Sequence, residues 1–130
     1  MNATARESEP LNDLVEQVIG AAYEVANVLG PGFLEKVYER ALVQELHLLG
    51  INAASQVPCP VLYKGHCVGD YLVDLLVDNQ LVVELKCADH LANEHMAQVL
   101  NYLKATGNRL ALLINFQNPK VQVKHIINSF

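Results

Sequence analysis

Asp74, Glu84 and Lys86 lie in the segment VDLLVDNQLVVELK (residues 73–86), where most neighbours are apolar. Charged groups are expensive to bury without a partner. Two carboxylates side by side repel each other unless one holds a proton. A hard divalent cation such as Mg²⁺ removes that conflict, because it is commonly held by one or two carboxylates together with waters and phosphate oxygens. A lysine one side chain away could orient an attacking water or offset the charge that builds on a phosphorane. Residues of these types point to metal-assisted phosphodiester hydrolysis. A plainer reading competes: roughly one D/E-x-K triplet is expected by chance in a chain of this length. Glu84 and Lys86 would then be a same-face ion pair on a half-solvated strand, contributing under about 1 kcal/mol. The LVV before Glu84 weighs against this, since it implies a strand buried on at least one face.

Strand periodicity puts Glu84 and Lys86 on one face. Whether Asp74 joins them depends on the turn. A three-residue loop at Asp78-Asn79-Gln80 pairs 77 with 81 and sets 74 opposite 84. A two-residue loop sets 75 opposite 84 and sends Asp74 to the other face. The catalytic reading therefore requires a loop of odd length, or a bulge.

The elements that would carry these groups follow from hydrophobic spacing. Leu14, Val15, Val18, Ala22, Val25 and Leu29 recur at helical intervals, which predicts a helix over about 11–29 that Gly30 and Pro31 end. A second helix is expected over about 33–49, with Leu34, Val37, Tyr38, Ala41, Leu42 and Leu49 inward. Residues 51–87 change period and predict three or four strands in antiparallel hairpins, with Asp70 and Asp78 in turns and His66 at a hairpin tip. NEHMAQVLNYLKATG (93–107) predicts a helix with Asn93 as N-cap, Met96, Leu100 and Leu103 on one side, and His95, Gln98 and Tyr102 on another. RLALLINF is a buried strand, and VQVKHIINSF a strand or short helix. The order is α-α-β-β-β-α-β around one mixed sheet.

The 130 residues suit one domain, expected over 11–130 after an unstructured polar N-terminus over 1–10. The apolar share of 52% is slightly high for a small monomer and suggests a homo-oligomer, a homodimer in the simplest case. The net charge of −5 excludes a module that grips nucleic acid through phosphates alone, unless metal and a local basic patch offset the acids. Cys59, Cys67 and Cys87 are odd in number and lack CxxC spacing, which argues against a disulfide framework or zinc ribbon and for the reducing cytoplasm. No apolar run is long enough for a bilayer, so no membrane partner is expected.

The wider pattern adds to this. GFLEKVY (32–38), DLLVDNQLVVELK and HMAQVLNYLKATG together resemble the GxxExxY family of the PD-(D/E)XK nuclease superfamily. The signature is carried by Gly32, Glu35 and Tyr38, the catalytic core by Asp74, Glu84 and Lys86, and a Q-x-x-x-Y element by Gln98 and Tyr102. LGPG, YKG and LLINF also look like family landmarks, so the resemblance spans about residues 14–118. It implies a restriction-endonuclease-like α/β fold: an αβββαβ core, a mixed central sheet flanked by helices, and an extra N-terminal helix. It implies Mg²⁺ or Mn²⁺ held mainly by Asp74 and Glu84, with Glu35 joining or supporting the shell. Lys86 would assist the nucleophilic water, and Gln98 and Tyr102 would contact the substrate backbone or steady the lysine. The expected partner is nucleic acid, DNA in the first instance. A different class also fits: an interaction or regulatory module that keeps the fold without cleaving. A hydrolase of another phosphate ester is a third reading.

The chain departs from that pattern where relatives read E-V-H before LGPG and it has Glu24-Val25-Ala26, and where INFG becomes INFQ with Gln117. Single residues carry ordinary readings too. Glu35 could merely complement the helix dipole. Tyr102 could be packing, His95 a surface histidine or a metal or phosphate contact, and Cys87 a core thiol. Glu24 is either solvated or turned into the cleft. Lys104 and Arg109 supply the nearest basic edge.

Overall fold

The computed structural model describes residues 9–128. The expected unstructured N-terminus falls on residues outside the described ones, except that Glu9 and Pro10 open the first helix. Helix α1 (Glu9–Leu29) buries the stripe Leu11, Leu14, Val15, Val18, Ala21, Ala22 and Val25. Gly30 ends it at φ 74°, a left-handed conformation that glycine adopts without Cβ strain, and donates its N–H to the Ala26 carbonyl at 2.8 Å. Helix α2 (Glu35–Leu48) starts two residues later than the spacing suggests, because Leu34 is extended (φ −67°, ψ 151°) and serves as the cap. Its inward face is Tyr38, Leu42 and Leu46, with one acid, Glu39, buried among them.

Five strands follow: β1 (Ala53–Tyr63), β2 (His66–Val77), β3 (Leu81–Lys86), β4 (Leu110–Asn115) and β5 (Gln122–Ile127). They lie in sheet order β1-β2-β3-β4-β5, antiparallel except for β3 and β4. A parallel neighbour needs a crossover, and helix α3 (Asn93–Thr106) provides it. The αβββαβ core is therefore present, with α2 as its helix, α1 as the N-terminal addition, and the C-terminal segment as a strand. Asp70 lies within β2 rather than in a turn, whereas His66 sits at the β1–β2 hairpin tip as expected.

The sheet separates two cores. On the α1–α2 side are Leu75, Val77, Leu81, Val83, Leu85, Leu112 and Ile114. On the α3 side are Val73, Val82, Ala111 and Leu113 with Val99, Tyr102 and Leu103. Strands β3 and β4 are covered on both faces, which is why they read as nearly continuous apolar runs. Burying each such Val or Leu contributes about 1.5–3 kcal/mol, so the central strands form a stiff floor for what they carry.

The β2–β3 turn is three residues long. Val77 pairs with Leu81, Gln80 donates its N–H to the Val77 carbonyl at 3.1 Å, and Asp78 and Asn79 take φ of 53° and 56°. Asp and Asn tolerate that region better than other side chains. The loop has the odd length that brings Asp74 across from Glu84.

Candidate active site

The β2–β3 ladder runs through Val77–Leu81, Leu76–Val82 and Leu75–Val83. One row further, side chains replace the ladder. The Asp74 N–H donates to Glu84 Oε2 at 2.5 Å, and the Leu85 N–H donates to Asp74 Oδ2 at 2.9 Å. Each carboxylate is thus fixed by the opposite strand and keeps its other oxygen out of these two bonds. Strand alternation slips at the same row. Leu75 and Val77 pack on the α1–α2 side and Leu76 on the α3 side, but Val73 joins Leu76 instead of Leu75. Strand β1 does likewise: Ala53 packs on the first side, Val57 and Cys59 on the second. Between them Gln56 has φ 53°. Asp74 therefore stands where β2 changes faces, within reach of groups from both.

The signature of α2 has a structural cause. Tyr38 is 1% exposed; its hydroxyl donates to the Gly30 carbonyl at 2.6 Å and accepts the Phe33 N–H at 3.3 Å. Its ring stacks on Phe116 (4.7 Å, 8°) and meets Phe33 edge-on. The loop Gly30–Leu34 is tied down at both ends, which sets where α2 begins and so places Glu35 in its first turn. Glu35 is solvent-exposed and feels the charges of Asp74 and Lys86. Lys86 closes β3. Its carbonyl accepts the Phe116 N–H at 2.9 Å, and the chain after it is clasped by the fully buried Asn115, whose amide accepts the Ala88 N–H (3.1 Å) and donates to the Ala88 carbonyl (2.8 Å).

Glu35, Asp74, Glu84 and Lys86 thus share one electrostatic neighbourhood. Burial, then the Asp74 charge, pushes Glu84 up to about 8 from an ordinary 4.5. Burial also raises Asp74, and burial followed by the Asp74 charge raises Glu35, while Lys86 acts in the opposite sense on all three. The raised carboxylates reflect burial first and the crowding of like charges second.

Helix α3 brings Tyr102 to the same place. Tyr102 is 6% exposed, meets Tyr71 edge-on at 5.3 Å, and has its hydroxyl pushed up to about 12 by burial and then by Glu84 and Asp74. Gln98 and His95 lie further along α3 and line a cavity of about 460 Å³ with Tyr71, Glu94, Ala97 and Asn101. A neighbouring cavity of about 540 Å³ shares Tyr71 and Asn101 and reaches Pro60, Leu62 and Lys104. Neither is lined by Glu35, Asp74 or Glu84; Tyr71, which meets Tyr102, lines both. His95 also has a local role, since its Nδ1 accepts the Ala92 N–H at 3.1 Å at the helix start. Ala92, not Asn93, is the N-cap residue. Ala26 packs against the first core, and Glu24 lines a shallow cavity between α1 and α2.

Two residues that sequence reasoning passed over belong beside this group. Glu39, 5% exposed, lies one turn after Glu35 and acts on both Asp74 and Glu35. Gln56 stands across from Asp74 on β1, donates to Glu39 Oε1 at 2.9 Å, and acts to lower Asp74. Their signals were the i, i+4 spacing of the two glutamates and the hairpin register.

Among the described residues, no three or more His, Cys, Asp or Glu side chains form a ready cage for an ion. The donor set is instead an open pair of adjacent carboxylates with spare oxygens and a third acid nearby, which fits a hard cation that keeps its waters. The model of the PD-(D/E)XK nuclease superfamily matches residues 12–126. The chain belongs to that superfamily. The PD-(D/E)XK domain is also similar to the crystal structure of SSO0001, with a TM-score of 0.55 and 17% identity, over 92% of this chain and 59% of that one. That likeness shows the shared fold, and the chain spans about three fifths of that protein's length. No curated protein matches the chain significantly. No helix among the described residues is long and apolar enough to cross a membrane.

Proposed function

We propose that this PD-(D/E)XK domain is a metal-dependent nuclease of the GxxExxY branch that hydrolyses phosphodiester bonds of nucleic acid, DNA in the first instance. The observation that carries the reading is the pair of bonds by which Glu84 takes the Asp74 N–H and Asp74 takes the Leu85 N–H, which sets a buried and a half-buried carboxylate side by side with Lys86 two residues along β3. Asp74 and Glu84, supported by Glu35, are the residues that would hold Mg²⁺ or Mn²⁺, which supplies Lewis acidity toward a phosphoryl oxygen and water. Lys86 offers a cationic donor that can orient the attacking water or offset charge on the phosphorane. Tyr102 closes the α3 side of the row, and Gln98 and His95 line the adjacent cavity where the substrate backbone would run. Free thiols at Cys59, Cys67 and Cys87 support a reducing, cytoplasmic setting. Exposed Leu62, Tyr63, Val68, Tyr71 and Leu72 on the outer β1–β2 hairpin support a homodimer, which light scattering after size exclusion would test.

The decisive experiment is cleavage of linear, nicked and single-stranded DNA, and of RNA, with Mn²⁺, by wild type and Lys86→Ala. Cleavage lost in the variant supports the mechanism; cleavage unchanged sinks it. The net charge of −5 favours a second reading, a non-catalytic interaction module. Under it, wild type cleaves none of these substrates.

A further inference from the structure

We propose that Glu39 and Gln56 form a positioning relay that holds Asp74 from the β1 side, an inference that rests on the metal-site reading above. Glu39 is a fourth carboxylate close to three others, and nothing in the proposed chemistry requires it. Its two oxygens are both engaged: Oε2 pairs with Lys36 Nζ at 2.9 Å, and Oε1 accepts Gln56 Nε2 at 2.9 Å. Lys36 is half exposed while the Glu39 side chain is 7% exposed, so this is not a pair of solvated surface residues. The lysine offsets the charge that lets a further acid stand beside Asp74.

The chemistry of Gln56 sets its orientation. Carboxylate oxygens accept; Gln56 donates its Nε2–H to Glu39 Oε1 at 2.9 Å, and its side chain, across from Asp74 in the hairpin, acts to lower that acid. The amide therefore turns its NH₂ group to the carboxylates, one N–H spent on Glu39 and the other available to Asp74. A glutamate at 56 would put a third acid in the gap. The backbone is adapted to this use, because Gln56 keeps φ 53° within a strand, a conformation that costs a non-glycine residue energy unless its surroundings hold it. Asp74 is thus bonded on one side by the Leu85 N–H of β3 and faces the Gln56 amide of β1 on the other. Outer groups that orient a metal-binding carboxylate typically change metal affinity by about 10–100-fold when removed.

The test is titration calorimetry of the intact chain with Mn²⁺ alone, on wild type, Asp74→Asn, Gln56→Ala, Glu39→Ala and Glu39→Gln, each checked for folding by circular dichroism. Wild type should bind Mn²⁺ and Asp74→Asn should not; equal binding by both would overturn the metal site and the relay with it. Given that control, Gln56→Ala should bind Mn²⁺ about 10-fold or more weaker. The Glu39→Gln variant, whose amide oxygen still accepts from Gln56, should stay within about 3-fold of wild type. Glu39→Ala combined with Gln56→Ala should be no weaker than Gln56→Ala alone, because the two act as one unit. In cleavage, Gln56→Ala should lower kcat and leave KM for DNA unchanged. A folded Gln56→Ala protein that binds Mn²⁺ as wild type does overturns the relay while leaving the site intact. Gln56 lies on the sheet's edge strand and is part-exposed, so its variant remains decisive if Glu39→Ala fails to fold.

Discussion

Asp74 and Glu84 each bond the other's strand: Glu84 takes the Asp74 N–H and Asp74 takes the Leu85 N–H. Two acids that ought to repel are thereby built into the sheet in place of a ladder rung. The domain holds them together at a cost to its own stability, and that cost has measurable consequences.

The first concerns pH. Glu84 rises from 4.5 in an unfolded chain to about 8 in the fold, and Asp74 and Glu35 shift the same way. Between those values the folded state binds more protons than the unfolded state, so stability falls as pH rises. The contribution is full below about pH 4.5 and lost through about pH 8. Chelator-treated protein should lose on the order of 3 kcal/mol between pH 5 and pH 8, read by urea unfolding. Mn²⁺ should restore much of it at pH 8. A flat profile without metal would contradict the burial and crowding of these carboxylates.

Glu84→Gln tests the same balance from the other side. A glutamine oxygen can still accept the Asp74 N–H, while the buried charge disappears. At pH 8 without metal, this variant should melt a few degrees above wild type, since about 1 kcal/mol corresponds to about 3–5 °C in a chain of this size. It should also lose Mn²⁺ binding and cleavage. Stability gained with function lost is the expected pattern for a strained site.

Lys86→Met separates chemistry from metal affinity. The methionine keeps the aliphatic stem against the sheet and removes the cation. Cleavage should fall by about 10²–10⁴-fold, while calorimetric Mn²⁺ affinity stays the same or tightens. A variant that loses Mn²⁺ binding would instead make Lys86 a structural residue.

Tyr38→Phe probes the loop that sets Glu35. Only the hydroxyl is lost, and with it the bonds to Gly30 and Phe33. Thermal unfolding should show a loss of about 1 kcal/mol. Activity should fall by less than in Lys86→Met, because Glu35 is displaced and not removed. Tyr38→Ala, which also empties the contact with Phe116, should cost about 3–5 kcal/mol.

Much of this was readable in advance. Apolar spacing located α1, α2 and α3 because amphipathic helices repeat their inward residues at a fixed period. The Asp78-Asn79 pair located the turn because those side chains accept the left-handed region. Other features are marked too weakly in the sequence to stand out. Glu39 sits in LEKVYER as an ordinary i+3 partner of Lys36, and only the helix's packing turns it inward. Gln56 has no turn chemistry, so its left-handed backbone could not be read from residue type. Asn115 lay within an apolar run, and its amide makes sense only once Ala88 is beside it. Tyr102 is set by helical spacing on the side of α3 with His95 and Gln98, away from Met96, Leu100 and Leu103. It is buried because the slip in β1 and β2 packs Cys59 and Val73 beside it, with Tyr71 edge-on.

That shared slip has a bearing on how the domain can vary. Gln56 and Asp74 occupy one row, and the pairing keeps its register on either side only because both strands change faces together. A single-residue deletion in β1 would return that strand to strict alternation while β2 still crossed over, and no facing side chains beyond the row would match. The two irregularities must be inherited as a pair. Length changes in descendants of this chain should therefore collect at the Lys64-Gly65 tip and spare the Gln56–Asp74 row, leaving a hairpin with a fixed root and a free end.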